Sequence, residues 1–213
     1  MSSVPTPNYS LGESFTNSIY DPSNDTFLLM DVLEKHKDEL LKLKPLIVFE
    51  IGSGTGVVSS FLRELLKTIH FISLTSDVNF NACLCTQETS KMNNHLIETI
   101  CCDTITSFEP RLNNKIDLLI FNPPYVLTND IPRCEEELCY AGGPNGRYVL
   151  DKLLPKLKNI LCINGRFYVI AVKDNDIEYL VKYTDNDSLK CSIAGNRIRG
   201  CENLFVLMYE RIR

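Results

Sequence analysis

The sequence predicts an α/β protein centred on an open, mostly parallel sheet. Three observations carry that expectation. Apolar segments alternate between the short runs of buried strands and the spacing of amphipathic helices, a glycine-rich stretch follows the first such strand, and the last two strands follow one another without a helix between them.

The chain has 213 residues, 44% hydrophobic and 23% charged, which is ordinary for a globular protein and enough for one sizeable core. It reads as one domain, 1–213, with an N-terminal helical extension over about residues 1–45. No basic and then apolar leader opens it, and runs such as "PLIVFEI" are too short for a bilayer, so a soluble intracellular protein without a membrane segment is expected. The nine cysteines are odd in number and include no C-x-x-C pair; Cys83 with Cys85 and Cys101 with Cys102 are the nearest groupings. Reduced thiols are expected, and no metal site. A net charge of -5 with both signs intermixed is unlike the basic stripe of a nucleic-acid binder.

Each element follows in order. "DTFLLMDVLEKHKDELLKL" (25–43) sets Phe27, Leu28, Val32, Leu33, Leu40 and Leu41 on one helical face, with Asp25 as N-cap and Pro45 marking the exit. "LIVFEI" (46–51) is a buried strand, "VVSSFLRELLK" (57–67) a helix and "HFISLTS" (70–76) a second strand. "FNACLCTQETSKMN" (80–93) is helical, "LIETICC" (96–102) a third strand and "IDLLIF" (116–121) a fourth. In "YVLDKLLPKLKNIL" (148–161) Pro155 should kink or divide the helix, and "RFYVIAV" (166–172) is a fifth strand. "SLKCSIAGNRIRG" and "NLFVLMYERI" then pair as antiparallel strands that close one side of the sheet.

Open parallel sheets bind ligands beyond the carboxyl ends of their strands. After the first strand, "FEIGSGTGVVSSF" passes into a helix through Gly52, Gly54 and Gly56. The spacing is G-x-G-x-G, not the dinucleotide G-x-G-x-x-G, and there is no P-loop lysine, which disfavours NAD(P) and ATP. Asp77 follows the second strand, where a carboxylate can accept hydrogen bonds from a ribose diol, and Asp103 follows the third. Either aspartate alone also suits a turn or a helix cap. The fourth strand runs into "NPPY", Asn122 to Tyr125, whose two prolines stiffen an extended backbone. Pro-Pro can simply end a strand, or its rigidity can aim polar atoms. Glu50, two residues before the first glycine, is an acidic residue at a strand end without an obvious partner.

"EIGSGTG", the Asp77 and Asp103 strand ends and "NPPY" resemble a class I S-adenosylmethionine-dependent methyltransferase of the amino and amide group. With "IYDPSNDTFLL" (19–29), "DLLIFNPPYV" (117–126) and "AGGPNGRYVLD" (141–151), the chain resembles the eukaryotic and archaeal HemK-like glutamine methyltransferases that modify translation termination factors. N-P-P-Y alone is shared with DNA and RNA adenine methyltransferases; the flanking blocks carry the distinction. Asn24 stands where the family usually has an acidic residue, and "SLTSDVNFNA" is a loose form of its second-strand motif.

The resemblance implies a Rossmann-like sheet of seven strands and S-adenosylmethionine as cofactor. Thr26, Glu50, Gly52, Gly54, Gly56, Asp77, Asp103 and Asn122 are its expected binding residues, although Thr26 is equally well a plain helix residue. Asn122, Pro123 and Tyr125 are the expected catalytic residues, and with Pro124 they hold the substrate. The implied reaction is methylation of a glutamine side-chain nitrogen, that of the GGQ motif in the eukaryotic class-1 release factor, in the cytoplasm with the nucleus as second compartment. "YAGGPNGRY" (140–148) fits either a mobile rim over the substrate or a long surface turn. A nucleic-acid adenine methyltransferase is the second reading, set back by the acidic charge, and a non-catalytic scaffold the third.

In the sheet order usual for such enzymes the third strand lies at an outer edge without the lysines and prolines that protect free edges. The resemblance implies a small zinc-binding activator subunit pairing there, at Ile97 and Ile100, with the zinc belonging to that partner. The plain alternative is shielding by the loop "EPRLNNK" (109–115).

Overall fold

The computed structural model describes residues 4–12, 19–131, 135–183, 187–200 and 202–213. Their contacts cluster into two units, one up to Glu109 and one from Pro110.

In the first unit, the helix expected over 25–43 is two helices, α1 (Asn24–Lys35) and α2 (Lys37–Leu43), broken at His36. No proline or glycine marks the break. The N-cap is Ser23, not Asp25. Asp25 lies inside the first turn, where its carboxylate accepts the Thr26 N–H at 2.7 Å and the Tyr20 hydroxyl at 3.1 Å. That does a cap's work from two positions further in, since the first amides of a helix lack partners of their own. Leu28, Leu29, Val32, Leu33 and Leu40 are buried, whereas Phe27 is 37% exposed and leaves the predicted face. Lys44 ends α2 in the left-handed region and Pro45 follows it, as expected.

Three parallel strands follow, β1 (Ile47–Ile51), β2 (Ile72–Asp77) and β3 (Glu98–Cys101), alternating with α3 (Val57–Leu65) and α4 (Phe80–Met92). Two described points before α1 meet α4 and its C-cap: Asn93 Nδ2 donates to the Asn8 carbonyl at 2.7 Å, and Ile19 is buried with Ala82 and Cys85.

The second unit holds β4 (Ile116–Phe121), β5 (Leu161–Val172), β6 (Leu189–Arg199) and β7 (Glu202–Arg211), with short helices α5 (Glu135–Leu138), α6 (Tyr148–Leu153), α7 (Leu157–Ile160) and α8 (Ile177–Lys182). Pro155 divides α6 from α7 through a 3-10 turn over Leu154–Lys156, as the sequence predicts. β4 pairs parallel with β5, but the register jumps from Ile116↔Leu161 to Leu118↔Arg166. Residues 162–165 bulge out, so only 166–172 reads as strand in the sequence. β7 pairs antiparallel with both β5 and β6. Sequence reading misses α8, whose Leu180 carbonyl accepts the buried Tyr209 hydroxyl of β7 at 2.7 Å.

The seven strands run in the order β3-β2-β1-β4-β5-β7-β6, mostly parallel, with the antiparallel pair at the C-terminal end of the chain. β3 is an edge strand. Among the described residues no helix is long and apolar enough to cross a membrane, and the seven described cysteines carry free thiols.

Candidate active site

In the first unit the turn after β1 is held on the end of β2, because the Gly52 and Ser53 amides both donate to the Ser76 carbonyl, at 2.7 and 3.1 Å. Gly54 has φ +53°, and a Cβ placed there would meet nothing within 4 Å. The loop therefore presents bare backbone to open space, the form of a cradle a ligand can approach closely. Gly56 is required for the opposite reason: a Cβ would lie 2.9 Å from the Thr86 Cα, so only glycine lets the loop pack on α4.

Glu50 is 3% exposed at the end of β1. Its Oε2 accepts the Ser59 N–H at 3.0 Å and also the Ser59 hydroxyl. Ser59 lies in the first turn of α3, so the carboxylate caps a helix whose N-cap, Gly56, has no side chain to do so. Ser59 is a partner the sequence did not reveal. No hydrogen bond among the described residues ends on Oε1. Burial pushes the Glu50 carboxyl up to about 8, helped by the nearby Asp77 charge and opposed by the two Ser59 bonds.

Asp77, half-buried at the end of β2, accepts the Gly54 N–H on Oδ2 at 2.9 Å and the Asn79 N–H on Oδ1 at 2.9 Å. Burial raises its pKa, and the bonds from Gly54, Asn79 and Val78 oppose the rise. Each oxygen retains capacity for a further donor. Glu50, the glycines and Asp77 thus form one connected group. Asp103 is exposed beyond β3, its carbonyl accepting the Thr106 hydroxyl at 2.7 Å. Thr26 is buried, with its hydroxyl directed to Asp25 at 3.3 Å.

In the second unit β4 delivers Asn122 to Tyr125 as predicted. The Asn122 side-chain oxygen and Pro123 are buried, and Pro124 and Tyr125 are partly buried. No hydrogen bond among the described residues ends on the Pro123 carbonyl. Beyond the prolines the backbone is committed: the Val126 amide donates to the Tyr140 carbonyl at 2.9 Å, and the Val126 carbonyl accepts from Gly142 at 2.7 Å. The start of the loop at 140–148 is therefore fastened to the backbone that directly follows the N-P-P-Y segment. Gly142 and Gly146 meet backbone to backbone, a Cβ on Gly142 lying 2.6 Å from the Gly146 Cα.

Of the expected partner residues, Ile100 is 37% exposed on β3 and Leu96 beside it 71%, whereas Ile97 is 6% exposed and packs within the chain.

The strand order, with a glycine loop closing β1 and a polar Pro-Pro motif closing β4, is that of a class I methyltransferase. Residues 13–138 match the Methyltransferase small domain family. The chain is 36% identical to Methyltransferase HEMK2 of Homo sapiens over 203 residues, 94% of each chain. It is 36% identical to the eRF1 methyltransferase catalytic subunit mtq2 of Schizosaccharomyces pombe over 207 residues, 91% of this chain and 90% of that one. Among solved structures it superposes on the E. cuniculi Mtq2-Trm112 complex with a TM-score of 0.68 at 23% identity, covering 91% of this chain and 99% of that one. The plantazolicin methyltransferase BpumL in complex with SAH shares the fold with a TM-score of 0.57 at 15% identity, over 88% and 84% of the two chains. The chain belongs to the HEMK2/Mtq2 family of methyltransferases.

Proposed function

We propose that the protein methylates the side-chain nitrogen of the GGQ glutamine in the eukaryotic class-1 release factor, in the cytoplasm, with S-adenosylmethionine as donor. The observation that carries the reading is the N-P-P-Y quartet set rigidly on the end of a buried strand, in a chain that is 36% identical to the eRF1 methyltransferase subunit of S. pombe.

When bound, the donor's sulfonium supplies an activated methyl group. The open cradle at Gly54 and the carboxylates of Glu50 and Asp77 suit a ligand with a ribose diol and an ammonium. Asp77 accepts from the diol, Glu50 faces the ammonium through Oε1, and Asp103 and Thr26 complete the set in the first unit. A carboxamide nitrogen is a poor nucleophile, since its lone pair is delocalised into the carbonyl. Asn122 Oδ1 and the Pro123 carbonyl each accept one N–H of the target amide, hold it in line and raise its electron density. Tyr125 packs on the amide plane. The prolines keep both acceptors in place with no reorganisation at the moment of reaction. The amide nitrogen would take the methyl group as its bond to sulfur breaks, the electron pair staying on the sulfur, and no strong base is needed because the nitrogen is then acidic and loses one proton late, to water.

Transfer from labelled donor is tested on the release factor, on a Gln-to-Ala version of it and on adenine-containing oligonucleotides. Label confined to the unaltered factor is the expected outcome; label on the oligonucleotides instead would establish the adenine reading. Asp77→Ala is expected to weaken donor binding by about 1–3 kcal/mol through loss of a charged acceptor. Unchanged affinity by calorimetry would move the ribose site elsewhere.

The reading includes a small zinc-binding activator that adds a strand at β3. It is supported by the edge position of β3, by Leu96 and Ile100 exposed there, and by the Trm112 in the E. cuniculi complex. Alone, the chain should be poorly soluble or inactive. Leu96→Lys and Ile100→Lys are expected to abolish co-purification with the activator, and an active monomer indifferent to both changes would remove the partner. Ile97, packed inside the chain, makes a poor test because its replacement would disturb folding as well.

A further inference from the structure

We infer that Asn175 is a positioning residue for methyl transfer, acting through the backbone of Tyr125; this rests on the glutamine methyltransferase reading. Asn175 lies in the 3-10 turn that follows β5 and is 1% exposed. Its amide serves two segments. Oδ1 accepts the Val172 N–H at 2.8 Å, closing the end of β5, and Nδ2 donates to the Tyr125 carbonyl at 2.9 Å. Its own carbonyl accepts from Arg147 Nη1 at 2.7 Å. Arg147 is fixed in turn by Asp151 at 3.3 Å and by the Tyr179 ring, 4.5 Å from its guanidinium carbon.

Gly146 closes the arrangement. A Cβ there would lie 2.2 Å from Asn175 Nδ2 and 2.4 Å from the Tyr125 carbonyl oxygen, and φ is +63°. The glycine is thus the gap through which the tether passes. The two prolines stiffen the motif internally but do not locate it; a stiff segment still pivots as a body about its ends. β4 fixes one end; at the other, the tether to Asn175 holds the carbonyl of Tyr125 itself, the residue that packs on the target amide, one position before the Val126 bonds to Tyr140 and Gly142. A shift of about 1 Å in such a segment costs up to a hundredfold in rate while leaving binding contacts largely in place.

Asn175→Asp separates this role from a merely structural one. The aspartate has the same shape and can still accept the Val172 N–H, so the end of β5 stays closed. It cannot donate to the Tyr125 carbonyl, and as a carboxylate it sets oxygen against oxygen there. Gly146→Ala strikes the same contact from the other side. Both variants, co-expressed with the activator, are assayed on the release factor beside the unaltered complex, with donor affinity and thermal unfolding measured in parallel. The expected result is a fall in kcat of about tenfold to a hundredfold. KM for the factor should stay within a few-fold, donor affinity should be unchanged, and the double variant should be no slower than the worse single one. Unchanged kcat in folded variants, a matching loss of donor affinity, additive losses, or failure of both variants to fold would overturn the assignment. Absence of transfer by the unaltered complex would instead remove the substrate reading on which it rests.

Discussion

Asn122→Ala is expected to slow methyl transfer by about a hundredfold or more while donor affinity changes far less. The side-chain oxygen of Asn122 is buried at the end of β4, beside a proline whose carbonyl no hydrogen bond among the described residues reaches. Of the two acceptors assigned to the target amide, the Pro123 carbonyl belongs to the backbone and survives any substitution. Asn122 is the half that can be removed. One remaining acceptor still binds the amide but lets it turn, so the loss should fall on kcat more than on KM. Removing a single group of this kind from a water-excluded site costs about 3–4 kcal/mol of transition-state stabilisation. Single-turnover transfer with labelled donor, beside calorimetry of donor binding, reads both quantities, and near-normal turnover would discard the mechanism.

Glu50→Gln tests the other half of the reaction and has a pH signature. In the free chain burial holds this carboxyl at about 8, so near neutrality it is mostly protonated. An α-ammonium beside it, itself titrating near 8 in the free donor, requires the ionised form. Below pH 8 donor binding must therefore release a proton, and affinity should climb by up to about tenfold per pH unit towards pH 8. Above that pH the free donor loses its own charge and affinity falls again. Glutamine preserves an acceptor for Ser59 but abolishes the acid limb, and should weaken binding by about 1.5–3 kcal/mol. A donor affinity that is flat between pH 6 and pH 8 in the unaltered protein would take Glu50 out of the site. Folding stability changes in the opposite direction. The native carboxyl keeps its proton up to about 8, whereas the unfolded one gives it up near 4.5. The native state binds more protons across that window, so the stability this group contributes is complete below pH 4.5 and is lost as pH rises through 8. The full difference is about 5 kcal/mol. Glu50→Gln should flatten that slope in denaturant titrations.

The sequence announces what periodicity and glycine spacing can carry. β4 falls on the predicted residues, and Pro155 divides its helix as read. The break at His36 was not legible, because it lacks a glycine or proline, and neither was the short helix α8. Gly52, Gly54, Gly56, Asp77 and Asn122 could be named in advance since each stands at the carboxyl end of a strand. Ser59, Arg147 and Asn175 could not: each matters through a partner distant in sequence, as Asn175 does through Tyr125. Two signals did point towards them. The polar turn "KDND" closes β5 as the other site segments close their strands, and Gly142 and Gly146 have the small-residue spacing of two backbones in contact.

The place of β7 in the strand order sets synthesis against assembly in the second unit. A ribosome emits β4, β5 and β6 before β7, yet β7 is the strand that joins β6 to β5. While the nascent chain grows, β6 has no strand to lie against, and the apolar edge of β5 from Phe167 to Val172 stays open. The first unit has no such delay, since β1, β2 and β3 lie side by side and are all made by Cys101. Loss of Glu202–Arg211 would therefore detach two strands rather than one, leaving a bare hydrophobic edge prone to aggregation.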